Sequence, residues 1–242
     1  MCRAENSYST SEHLGGTAMK KFLTLVISLL VLVTAGTAWS ITTMGEAEFK
    51  GILTGLKNYV DWIVTNDGPI VTTAQETFVF VHGNANLYDT GSIYYYYYQF
   101  ENYHNDNIVA FSLNVNPNTV LTAGYMVGVD LDAAPFSHAV VGDHEAAWNP
   151  IVDPASAVFN PGGIAPNVSY NYDPPGNCLC MNDTSTVMFI SCLEPPVFKF
   201  STAQNGESWN GQLPVPKDPI PEPMSFFILL IGLAGLVLKK IR

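Results

Sequence analysis

Oxygen-rich side chains crowd one stretch of this chain: Asp130-Leu131-Asp132, His138, then Asp143-His144-Glu145. Alternation along a strand places Asp130 and Asp132 on one face, and a returning loop can bring Asp143, His144 or Glu145 beside them. Carboxylates are hard oxygen ligands that suit calcium, at the weak affinities typical of extracellular modules. Asp130, Asp132 and His144 are therefore the candidate metal ligands. The plainer account is a set of solvated loop side chains, and no resident cofactor is expected.

Nothing comparable points to catalysis. The chain has no His-Glu-x-x-His, no Gly-x-Ser-x-Gly, no phosphate-binding loop and no dinucleotide fingerprint. His82, His104, His138 and His144 are scattered, and none stands in a recognisable context with a serine or cysteine nucleophile. No catalytic residue is predicted and the protein is not expected to be an enzyme. The alternative is a metal-dependent hydrolase of polysaccharide working through Asp130, Asp132 and His144.

Two other groups of residues bear chemistry. Tyr94 to Tyr98 form an unbroken run of five tyrosines. In a strand Tyr94, Tyr96, Tyr98 and Phe100 face one way and Tyr95, Tyr97 and Gln99 the other. One face fills a core, and the other, through Tyr95 and Tyr97, is a candidate platform for stacking sugar rings. Beyond residue 38 the cysteines are Cys178, Cys180 and Cys192. In an oxidising compartment Cys178 or Cys180 can reach Cys192 across a turn at Asn182–Thr184. Cys180–Cys192 is the expected bridge, leaving one thiol over, because a bridge inside Cys178-Leu179-Cys180 is strained.

The elements that position these groups read as strands and turns. Short β-branched or aromatic runs alternate with Gly, Pro, Asn and Asp. Strands are predicted over 59–65, 77–81, 93–102, 108–115, 122–129, 155–159, 168–172, 186–191 and 197–200. Before residue 59, Phe49, Ile52, Leu53 and Leu56 would also suit a helix face, but Gly51 and Gly55 weaken a helix there. The expected fold is all-β, a single β-sandwich of Ig-like or jelly-roll type over residues 39–210. Residues 211–220 carry prolines at 214, 216 and 219 and are expected to be a semi-rigid linker.

The two ends give the chain an address. Met19-Lys20-Lys21 and the apolar run Phe22–Val33 make a basic n-region and an h-region, and Gly36-Thr37-Ala38 supplies the small residues signal peptidase accepts. Residues 19–38 are thus the expected signal peptide, cut after Ala38. Residues 1–18 stand ahead of a complete signal and suggest that translation begins at Met19. At the other end Met224–Leu238 holds no charge, spanning roughly 22 Å as a helix, and Lys239-Lys240-Ile241-Arg242 follows. That length makes a marginal permanent anchor. The basic flanks hold both ends in the cytoplasm and place the body outside.

The body fits that topology. Residues 39–220 carry 18 acidic and 4 basic residues, with no Lys or Arg between Lys57 and Lys199. Such a charge repels nucleic acid and anionic membrane faces rather than binding them.

Pro221-Glu222-Pro223, the short apolar segment and the basic end together resemble the PEP-CTERM sorting signal of Gram-negative bacteria, over residues 221–242. The resemblance implies recognition by a membrane-embedded exosortase, cleavage near the motif, and delivery to the cell surface or an exopolysaccharide matrix. The Lys-Lys-Ile-Arg end departs from the family's commoner arginine cluster. The tyrosine-rich strand followed by Ile108-x-x-Phe111-Ser112-Leu113 is also similar to the sandwich-like bodies of such proteins. The partners implied are the Sec translocon, signal peptidase, an exosortase and extracellular polysaccharide, and the role is structural or adhesive. A sugar-binding module and an uncleaved single-span membrane protein are the remaining alternatives.

Overall fold

A computed structural model describes residues 41–218 apart from 73, 84–92, 105–106, 117, 138–149, 162–165 and 173–177. The signal peptide with Ala38, the sorting motif Pro221-Glu222-Pro223, and His138, Asp143, His144 and Glu145 lie outside the described residues. Within them the chain is all-β, without a helix. No helix among them is long and apolar enough to cross a membrane.

Eleven strands form one continuous antiparallel path. In chain order they are β1 (Thr42–Gly51), β2 (Lys57–Thr65), β3 (Phe78–His82), β4 (Tyr94–Glu101), β5 (Ala110–Asn114), β6 (Val120–Met126), β8 (Ser156–Asn160), β9 (Asn167–Asn171), β11 (Met188–Cys192), β12 (Pro196–Gln204) and β13 (Ser208–Pro216). Two-residue strands β7 (Ile151–Val152) and β10 (Thr184–Ser185) pair in parallel, and β10 also pairs with β4. The spatial order is β3-β6-β11-β4-β2-β1-β13-β12-β5-β9-β8. The path curls until its two edges nearly meet, where His82 of β3 stacks on Phe159 of β8 at 4.0 Å between ring centroids. Near-closure leaves little free edge for pairing with another chain.

The main core lies inside this curl. Val60, Val64, Tyr96, Tyr98, Phe100, Phe49 and Ala47 meet Phe111, Leu113, Val168, Tyr170, Ala203, Trp209 and Leu213. Each fully buried phenylalanine here contributes about 2 kcal/mol of transfer free energy. Two of the buried phenols find carbonyl acceptors: Tyr98 donates to Pro214 O at 2.6 Å and Tyr170 to Gly124 O at 3.0 Å. A second core covers the opposite face of the central strands, where Ile63, Tyr95, Tyr97 and Phe189 meet Val71, Ile93, Met126, Val129, Leu131 and Phe136.

The segment before β2, where Gly51 and Gly55 already told against the helix alternative, is a strand and hairpin. Across Thr42–Gly51 polar Glu46, Glu48 and Lys50 alternate with buried Gly45, Ala47 and Phe49, which is strand periodicity. Gly55 takes φ +70° at the turn, a left-handed conformation that glycine adopts freely.

A correction concerns the expected linker over 211–220. Its first part belongs to β13, pairing with β12 from Gln204↔Ser208 through Pro196↔Pro216. The body therefore extends past residue 210 to the end of that strand. Prolines are tolerated because of their parity. Ile52 N–H donates to Ser208 O, so alternate residues 208, 210, 212, 214 and 216 direct their backbone groups away from β12. On that side β1 is in register only at Lys50↔Asn210 and Gly51↔Trp209. The N–H groups missing at Pro214 and Pro216 thus fall where no ladder needs them.

Candidate functional site

At the rim of the second core three carboxylates from distant parts of the chain converge. Asp61 belongs to β2, Glu101 ends β4, and Asp132 lies on the loop after β6. One oxygen of each lies within 4.8 Å of the others, and Asp61 and Glu101 are 0% and 2% exposed. Sheet register sets the first two side by side, since Tyr59↔Glu101 and Asp61↔Gln99 are neighbouring pairs on one face.

Buried polar side chains fix the third. Gln99, beside Asp61, accepts Leu131 N–H at 2.8 Å through Oε1 and donates to Ser185 O at 2.8 Å through Nε2. Thr186 Oγ1 accepts Val129 N–H at 3.1 Å. The loop is therefore strapped to the sheet immediately before Asp132. Asp132 N–H donates to Asp130 Oδ1 at 3.1 Å, a local turn that leaves the Asp130 carboxylate outside the trio.

Tyr103 closes one side of the cluster, its hydroxyl donating to Glu101 Oε2 at 2.9 Å. Burial, and after it the Glu101 charge, raises the Tyr103 pKa above the ordinary phenol value of 10.0, keeping it a donor. Its backbone N–H donates to Asn58 Oδ1 at 2.9 Å. Carboxylates buried this close together are stabilised by a shared proton or by a cation. An all-oxygen set suits calcium or magnesium.

Of the three predicted ligands, Asp132 reaches this cluster, Asp130 serves as its turn acceptor, and His144 is outside the described residues. The expected grouping missed Asp61 and Glu101. Their signal was present in the sequence, as single carboxylates inside otherwise apolar or aromatic runs, Tyr59-Val60-Asp61-Trp62-Ile63 and Tyr98-Gln99-Phe100-Glu101.

The expected sugar platform is not displayed. Tyr95 and Tyr97 are each 3% exposed, because the loops around Val71 and Phe136 cover that face. Tyr97 packs edge-on to Phe136 at 4.9 Å and its oxygen accepts Ile70 N–H at 3.1 Å. Burial pushes the Tyr97 phenol well above its usual range.

The expected Cys180–Cys192 bridge is replaced by one between Cys178 and Cys180, with Cα atoms 5.4 Å apart. Cys192 ends the central strand β11 and is buried as a free thiol. Its Sγ donates to Glu194 O at 3.1 Å, and burial pushes its pKa up to about 12. A thiol held there is a packing group, not a nucleophile.

Fold and site together define a class: a nearly closed antiparallel β body with a buried carboxylate cluster at one rim. No protein-family model matches the chain, and the comparisons with curated proteins and with solved structures return no match.

Proposed function

We propose that this is an exported cell-surface or extracellular-matrix protein with a structural or adhesive role and no enzymatic activity. It enters the Sec route through residues 19–38 and loses them after Ala38. It is then sorted by an exosortase acting on Pro221-Glu222-Pro223. The charge pattern carries the proposal: basic residues flank both apolar ends, while the body between Lys57 and Lys199 has none.

The finer fold proposed is a β-sandwich of Ig-like or jelly-roll type, made by folding the one sheet over. In support, β1, β2 and β4 face β5, β9 and β12 across the main core. Protease added to intact spheroplasts tests the topology. The body should be digested there, and a body that survives until the cells are lysed contradicts export.

The convergence of Asp61, Glu101 and Asp132 favours a second reading, in which calcium stabilises the body once it is outside. Calcium at 100 times its Kd would add about 2.7 kcal/mol. Thermal melts with calcium and with EDTA test it. Stabilisation by calcium that Asp61→Asn abolishes supports the site. Identical melts, with Asp61→Asn more stable than the parent through relief of carboxylate repulsion, remove it.

A further inference from the structure

We propose that the end of the body from which the chain departs is a docking surface for the lipid bilayer, seated through exposed aromatic and aliphatic side chains while the tail is still attached. The proposal deepens the exported, tail-anchored reading above and rests on it.

Strand directions bring both ends of the described chain to one end of the sheet. β1 begins at Thr42 and runs antiparallel to β13, which ends at Pro216. Ile41 N–H bonds Asn66 Oδ1 just beyond β2, Lys217 N–H donates to Pro195 O just before β12, and Lys199 pairs with Asp218 at 2.8 Å. This same end exposes large apolar side chains that the core does not need. Phe198 and Phe200 on β12 are 60% and 62% exposed, and Leu193, in the turn leading to that strand, is 57% exposed. Ile41 and Met44 at the start of β1 are exposed too. Phe198 leans edge-on against Trp62 at 5.9 Å, an amphipathic aromatic of the kind enriched where protein meets headgroups.

Distance selects the bilayer as occupant. From Asp218 to Met224, where the uncharged run begins, the chain can reach at most roughly 20 Å. The other end of the sheet also exposes aliphatic residues, Ile52, Leu53 and Leu56 in the β1–β2 turn. It lies a full ten-residue strand away, roughly 30 Å. A body standing on this end brings Leu193 and Phe198 toward a bilayer that holds residues 224–238 and keeps Leu53 away from it. The body is strongly acidic, so the contact must be driven by apolar insertion and should strengthen, not weaken, as salt rises.

The test uses the full chain reconstituted in phosphatidylcholine vesicles, with p-benzoylphenylalanine replacing Phe198, Phe200 or, as control, Leu53. All three positions are exposed, and circular dichroism checks that each variant folds. The expected result is photo-crosslinking to phospholipid several-fold stronger at 198 and 200 than at 53. Equal, weak crosslinking at all three, with residues 224–238 still protected from protease, overturns docking and leaves the anchored tail standing. A chain that does not stay with the vesicles overturns the anchoring itself, and docking with it. Crosslinks at 198 to a second copy, or to added exopolysaccharide in preference to lipid, assign the surface to that partner and overturn the proposal.

Discussion

Two strands of this sheet are rich in aromatic residues and use them in opposite ways. β4 buries Tyr95, Tyr96, Tyr97, Tyr98 and Phe100 to 5% exposure or less, on both of its faces. β12 buries Ser201 and Ala203 while leaving Phe198 and Phe200 more than half exposed. The sequence difference is alternation. β4 runs Tyr-Tyr-Tyr-Tyr-Tyr-Gln-Phe, where the one polar residue, Gln99, is itself buried and hydrogen-bonded, the pattern of a strand covered on two sides. β12 runs Pro-Val-Phe-Lys-Phe-Ser-Thr-Ala-Gln, where polar neighbours mark a strand with one face toward solvent or a partner. Aromatic content alone does not say which residues are displayed.

The largest effect should come from the buried side of this comparison. Tyr98→Ala removes a fully buried ring from the main core and should cost about 3–5 kcal/mol, read by urea denaturation. Loss of less than about 1 kcal/mol would show that the core is not packed around β4.

Alkaline titration should reveal the same burial. Tyr96, Tyr97, Tyr98, Tyr170 and Tyr172 are all raised above 10.0, chiefly by burial. A group raised in the folded state stabilises fully below its unfolded pKa and loses that contribution as pH rises above it. Stability should therefore fall from about pH 10 upward. Phenolate absorbance from these rings should appear together with loss of circular dichroism, not before it.

A smaller effect is expected at Gly124, on the β6 side of the sheet. A Cβ there would lie within 3 Å of Val79 O and the Phe189 ring, so Gly124→Ala should destabilise by about 1–3 kcal/mol. The smallest belongs to the displayed pair. Phe198→Ser with Phe200→Ser should change the stability of the body by less than about 0.5 kcal/mol each, measured by urea denaturation. A loss on the scale of Tyr98→Ala would erase the contrast between the strands.

Much of the strand content was legible because most strands are short apolar runs closed by turn residues. β13 was hidden by Pro214 and Pro216, which read as a linker until backbone parity shows that their missing N–H groups face away from β12. β1 carried an alternating pattern through Glu46, Ala47, Glu48 and Phe49, masked by the competing spacing of Phe49, Ile52, Leu53 and Leu56. The carboxylate site was only partly visible. Asp132 stood out beside Asp130, whereas Asp61 and Glu101 join it through pairing between β2 and β4, a contact that no local spacing encodes. The cysteine pairing is not legible because proximity along the chain gives no register for Cys192, which β11 carries into the core.

The functional account turns on where the mature chain begins and ends. Intact-mass measurement of the protein recovered from its cells tests this most directly. A species starting at Trp39 and ending near Pro221–Pro223 is the predicted result. A mass that retains residues 19–38 or extends to Arg242 contradicts it.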